Sequence, residues 1–233
     1  MNPPTYRTAL IVGAGSGLSA AIARRFAGAG MQIALAARSI DDLAPLCNEL
    51  GAKAFACDAS RQEDVAALFA QVSAALGAPD VVVFNASFRT RGAFLDLDPV
   101  EVEKSLRVSA FAGFLVAQAA VRRMLPNRHG AIFFTGASAS VKGYAQSAPF
   151  AMGKFALRGL AQALARELSP QGIHVAHFVI DGGIRSERRP VPADKPDSLL
   201  DPDAIAATYL HILQQPRSAW SLEVELRPWV EKF

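Results

Sequence analysis

Thr8-Ala9-Leu10-Ile11-Val12-Gly13-Ala14-Gly15-Ser16-Gly17-Leu18 is the stretch whose reading decides the fold. Five strand-like residues close on a glycine cluster, and residues 18–30 then show helical periodicity. Glycine permits the tight turn and lets backbone N–H groups approach a phosphate. The N-terminus of the following helix adds partial positive charge. Strand, glycine turn and helix near the chain start form the context a dinucleotide-binding turn requires. Gly13, Gly15, Ser16, Gly17 and Leu18 are therefore the candidate phosphate contacts. A plain strand-to-helix turn would use similar residues, so the surrounding frame has to support the reading.

It does. Apolar runs at 31–37, 53–57, 81–85, 131–135, 173–180 and 222–226 read as further strands. Helical patterns at 40–50, 62–76, 99–125, 150–168 and 202–214 lie between them. The run 31–37 is apolar throughout, as a strand buried on both faces requires. Such alternation predicts an α/β fold: one doubly wound parallel sheet of about seven strands with helices on both faces. The chain of 233 residues fits a single domain over 1–233, and 51% hydrophobic residues are enough for its core. Phe133, Phe134 and Phe178 are expected in that core. Residues 185–200, rich in Pro and Asp, read as a loop beside the substrate.

The remaining composition narrows the function classes. A net charge of +3 without a long basic run does not suggest a nucleic-acid or acidic-membrane partner. Arg188-Arg189, with Arg185 nearby, reads as a solvated loop; the charge of 185–200 hints at a polar or anionic substrate. Cys47 and Cys57 lack metal-ligand spacing and read as free thiols of a cytoplasmic protein. The four histidines suggest no metal site. His174 and His177 fit core or surface positions, and His129 a turn. No signal peptide is apparent, and no apolar run is read as a membrane span.

The end of the second strand selects the cofactor. An acidic side chain there would bind the adenosine ribose and repel a 2′-phosphate. The residues are Ala36-Ala37-Arg38-Ser39, and the planar guanidinium of Arg38 suits a phosphate. NADP(H) is therefore expected over NAD(H).

These pieces together resemble a short-chain dehydrogenase/reductase over nearly the whole chain. Gly13-x-x-x-Gly17-x-Ser19 is similar to the family's glycine pattern, with serine in the last glycine's place. Asp58-Ala59 resembles the aspartate segment that contacts adenine, and Asn85-Ala86-Ser87 the segment ending the fourth strand. The segment 180–186 resembles the family's nicotinamide-side turn, with Asp181 replacing proline. The resemblance implies a Rossmann fold. It also implies cofactor contacts from Gly182, Ile184, Ser186 and Lys154, and pairing of copies into a homodimer or homotetramer. Trp220, Trp229 and Phe233 would suit that interface or the monomer core.

The same resemblance exposes a departure. The family's proton-donating tyrosine falls four residues before the lysine, and its serine thirteen before the tyrosine. Counting back from Lys154 gives Phe150 and Ala137, and the family's asparagine maps onto Ser109. A phenyl ring has no proton to give. Lys154 keeps the family's lysine role, while Ser138, one residue off the serine position, and Tyr144 are replacement candidates. A phenol near a lysine ammonium would have its pKa lowered; Tyr144 otherwise reads as an aromatic lining the pocket. Lys142 is expected to face solvent. The reading is an NADP(H)-dependent oxidoreductase acting on a small carbonyl, alcohol or conjugated enoyl substrate with a non-standard proton path. The alternative is a catalytically silent dinucleotide-binding protein, a sensor or oligomer partner.

Overall fold

Seven strands form along the expected runs: β1 (Thr8–Val12), β2 (Gln32–Ala37), β3 (Lys53–Ala56), β4 (Val81–Phe84), β5 (Gly130–Thr135), β6 (Ile173–Ile180) and β7 (Glu223–Leu226). The computed structural model describes residues 4–231; Phe233 lies outside them. All neighbouring strands are parallel, in the order β3-β2-β1-β4-β5-β6-β7.

Among the described residues seven α-helices cover the sheet: α1 (Leu18–Gly28), α2 (Ala44–Leu50), α3 (Gln62–Leu76), α4 (Pro99–Leu106), α5 (Ala112–Met124), α6 (Ala148–Leu168) and α7 (Pro202–Leu213). Two start on the same local device. Asp98 and Asp201 accept a backbone N–H from Val100 and Asp203, and Pro99 and Pro202 occupy the first turn, where no donor is lost.

Successive strand side chains point to opposite faces, so the sheet builds two cores. Ile11, Leu35, Val83, Phe133 and Phe178 pack with α1 and α7 on one side. Leu10, Val82, Phe84 and Phe134 pack with α3, α5 and α6 on the other. Phe133, Phe134 and Phe178 are fully buried, as expected.

The long helix expected at 99–125 is interrupted. Residues Arg107–Phe111 form a π-helical turn that joins α4 to α5. The whole stretch Pro99–Asn127 is long and apolar enough to cross a membrane, which corrects the expectation that no such run exists. Here its apolar side, including Ala112, Val116, Ala117 and Ala120, packs beneath the sheet, as a core helix does.

His174 and His177 are buried in β6, and His174 stacks on Trp220 with centroids 4.7 Å apart. Trp229, by contrast, is exposed.

Candidate functional site

Because every strand is parallel, all seven C-terminal ends lie along one edge, and the loops leaving them meet there. The strand order reverses between β1 and β4, the point where an open α/β sheet leaves a crevice. The two departing chains nearly touch: a Cβ on Gly13 would fall 2.4 Å from the amide nitrogen of Ala86. Gly13 also has φ +86°, a left-handed value that glycine adopts freely. Both constraints make this position glycine.

A cleft of about 850 Å³ runs over this crevice. Gly13, Arg38, Asp58, Ala59, Asn85, Ala86 and Ser87 line it, so the structure brings together candidates predicted from four separate strand ends. Open space lies above Gly15 and Gly17, and α1 begins at Gly17 without a side-chain cap. The Leu18 and Ser19 amides of its first turn can thus donate to an anion, while that of Ala20 donates to the Gly17 carbonyl at 3.0 Å.

Ser19 does more than replace a small residue. Its hydroxyl donates to the Gly13 carbonyl at 2.9 Å and accepts from Asn85 Nδ2 at 2.7 Å. One serine thus ties the glycine turn to the end of β4. Asp58 accepts from the Ser60 hydroxyl at 2.7 Å and from its amide at 3.0 Å. These bonds, led by the hydroxyl and aided by nearby Arg38 and Arg61, hold its carboxyl below the usual range. Arg38 is exposed at the cleft wall.

A second cleft of about 760 Å³ continues from the first, sharing Asn85 and Ser87. Leu18, Ala137, Ser138, Phe150, Lys154, Gly182, Ile184 and Ser186 line it. Lys154 is buried and donates from Nζ to the Thr135 carbonyl at 2.7 Å. Burial lowers its pKa to about 8. Beneath it the Thr135 hydroxyl shares a 2.9 Å hydrogen bond with Tyr209, whose phenol burial pushes well above its ordinary value.

Two candidates stand elsewhere. Tyr144 is half-exposed and does not line the cleft; its loop closes on itself, with the Ser147 amide donating to the Tyr144 carbonyl. Tyr6 and Tyr209 are buried, so none of the chain's three tyrosines lines the cleft. Ser109 is buried in the π turn and is bonded to Phe88, accepting from its amide at 3.2 Å and donating to its carbonyl at 3.3 Å. Ser105 donates to the same carbonyl at 3.1 Å. Both serines brace the loop that follows β4.

Lys142 does not face solvent as expected. It pairs with Asp181 at 3.0 Å, and Asp181, only 3% exposed at its side chain, also pairs with Arg227. The carboxylate that replaces proline at this turn thus locks the loop before α6 to the end of β7. Arg188 and Arg189 are exposed on a loop, as expected, and also line the second cleft together with Arg89 and Arg91. Sequence reasoning missed the last two.

A family model described as short chain dehydrogenase matches residues 7–190. The chain is 35% identical to a short-chain dehydrogenase from Rhodopseudomonas palustris of known crystal structure, with a TM-score of 0.82 over 97% of this chain and 100% of that one. A metagenomic short-chain oxidoreductase in complex with NADP is 27% identical, with a TM-score of 0.83 over 96% and 98%. Among curated proteins, the cyclic-di-GMP-binding biofilm dispersal mediator protein of Escherichia coli (strain K12) is 32% identical over 200 residues, 84% of this chain and 80% of that protein.

Proposed function

The chain belongs to the short-chain dehydrogenase family, and on that premise we propose that it binds NADP(H) in preference to NAD(H) and transfers a hydride to or from a small carbonyl, alcohol or conjugated enoyl substrate. The observation that carries the cofactor preference is Arg38. It stands at the end of β2 on the wall of the first cleft, where an acidic residue would favour NAD(H). The open space above Gly15 and Gly17 and the uncapped start of α1 fit a pyrophosphate. The NADP-bound relative supports the same cofactor class.

When bound, the cofactor supplies the hydride; the chain's own residues bind, orient and handle the proton. Gly13 to Leu18 receive the phosphates, Asp58 and Ala59 the adenine, and Arg38 the extra phosphate. Ile184 and Ser186 orient the nicotinamide amide, and Lys154 holds the neighbouring ribose. Phe150 has no exchangeable proton, and Ala137 has no hydroxyl. Ser138 is the hydroxyl on the cleft wall beside them, and in this reading its Oγ passes a proton from water in the open cleft to the substrate oxygen. A well-placed acid is worth about 10²–10⁴ in rate, so this path is expected to be slower than a tyrosine's. Phe111, Phe114, Met152 and Phe155, exposed on the π turn, α5 and α6, supply an apolar face for pairing copies.

Calorimetric titration tests the cofactor. NADPH is expected to bind more tightly than NADH. Arg38→Asp is expected to weaken NADPH by about 10- to 100-fold, the worth of a charge-assisted bond. Tighter binding of NADH by the wild-type protein would overturn the assignment.

A second reading, dinucleotide binding without turnover, is favoured by the absence of any tyrosine from the cleft wall. One relative is likewise named for binding a cyclic dinucleotide. The double variant Ala137→Ser, Phe150→Tyr separates the two. Carbonyl reduction gained by the variant and absent from the parent supports the silent binder; turnover by the parent supports the enzyme.

A further inference from the structure

We propose that the second cleft is built for an organic polyanion, a substrate with at least two negative charges, held by Arg89, Arg91, Arg188 and Arg189 beside Lys154. The proposal deepens the oxidoreductase reading by naming the substrate class, and its anion-binding part stands without that reading.

Three distant parts of the chain supply the arrangement. Arg89 and Arg91 leave the end of β4, Arg188 and Arg189 follow β6, and Phe150 opens α6; all five line one cleft. Its lining includes no aspartate or glutamate. None of the four arginines has a carboxylate partner among the described residues, whereas neighbouring Arg185 pairs with Asp201 at 2.8 Å. All four stand exposed on the cleft wall, and partial burial, followed by the like charges of Arg91 and Arg189, holds the Arg89 pKa below its ordinary value. Uncompensated like charges gathered around a concavity raise the local concentration of counter-ions and are relieved by a bound anion. The planar fork of arginine matches phosphate and carboxylate in pairs of bonds.

The backbone also makes room for this cluster. A Cβ on Gly183 would fall 2.6 Å from Arg189 Nη1, so glycine there lets the guanidinium rest against the end of β6. The loop carrying Arg89 is tied down at Phe88 by buried Ser105 and Ser109. Phe150, where the family's tyrosine would stand, carries Arg89 over its ring at 5.0 Å. An aromatic face attracts a guanidinium. The residue that stands where the proton donor would be thus also helps to seat a cation in the cleft.

The test uses the full chain, first alone and then saturated with NADPH so that the glycine turn is occupied. Calorimetry follows inorganic pyrophosphate and citrate, with glycerol as a neutral control. The expected result is binding of at least one of the two anions, retained with NADPH present and weakened by added salt. The double variant Arg89→Gln, Arg189→Gln is expected to weaken it at least about tenfold. Pyrophosphate alone binding assigns a phosphate ester, and citrate alone a polycarboxylate. A second measurement needs no ligand. If the arginines repel one another, the double variant melts at a higher temperature than the parent, whereas loss of merely structural contacts would lower it. Anion affinity unchanged in the variant, or binding of neither anion, overturns the proposal. Failure of NADPH to bind, with anion binding intact and arginine-dependent, overturns the cofactor assignment and leaves the anion site standing.

Discussion

Lys154→Met replaces a buried ammonium with an apolar chain of similar length, and its effect on stability is expected to depend on pH. In the folded protein burial lowers the lysine from 10.5 to about 8. Below about 8 the lysine is protonated in both folded and unfolded chains, and the full cost of burying the charge is present. Above 10.5 it is neutral in both, and the cost is gone. A difference of about 2.5 pH units, at about 1.4 kcal/mol each, amounts to about 3 kcal/mol. Stability of the wild-type protein relative to the variant therefore rises with pH through this window. Between pH 7 and 9.5 linkage gives a gain of about 2 kcal/mol, since pH 9.5 still lies inside the window. Urea unfolding followed by far-UV circular dichroism, without cofactor, measures the two proteins side by side. The comparison cancels the cysteines and tyrosines that also titrate there. At pH 7 the variant retains the packing but loses the bond to the Thr135 carbonyl, worth about 1.5–3 kcal/mol for a charged donor, so the two proteins start nearly equal. A difference between them that stays flat from pH 7 to 9.5 would refute a buried lysine whose pKa is lowered.

Two further substitutions probe the frame of the site. Gly13→Ala places a methyl group 2.4 Å from the Ala86 amide at φ +86°, and is expected to cost about 1–3 kcal/mol in chemical unfolding and to abolish NADPH binding by calorimetry. Asp181→Asn strips a buried carboxylate from Lys142 and Arg227. Because both partners keep some solvent, the expected loss is about 2–3 kcal/mol, at the low end for a broken buried pair, and unchanged unfolding would show that the cluster does not hold the loop before α6.

Much of the frame was legible because its causes are local. The apolar run 8–12, the glycines after it and the helix period of the next residues specify β1, its turn and α1 without reference to the rest of the chain. The Asp-Pro pairs that the structure shows starting α4 and α7 are equally local devices. The lining of the first cleft was largely legible too, since each candidate sits just beyond a strand and a parallel sheet must gather those ends on one edge. The π turn at Arg107–Phe111 left no comparable signal, because a one-residue change of hydrogen-bond register alters neither composition nor apolar spacing.

The second cleft was far less legible. Arg188-Arg189 taken alone reads as a wet loop, and Arg89 and Arg91 carry no motif. Nothing local relates them, since about a hundred residues separate the two pairs. Likewise Tyr144 lies only ten residues before Lys154 and yet does not line the cleft, while Lys142 crosses to a carboxylate at the end of β6. By itself the sequence determined the alternation of elements, the glycine turn, the arginine after β2 and the missing tyrosine, all properties of single segments. Only the tertiary structure decided which charges meet and which are neutralised. Coulomb energy depends on distance through space, and the sheet order alone brings the ends of β4 and β6 to the two sides of one cleft.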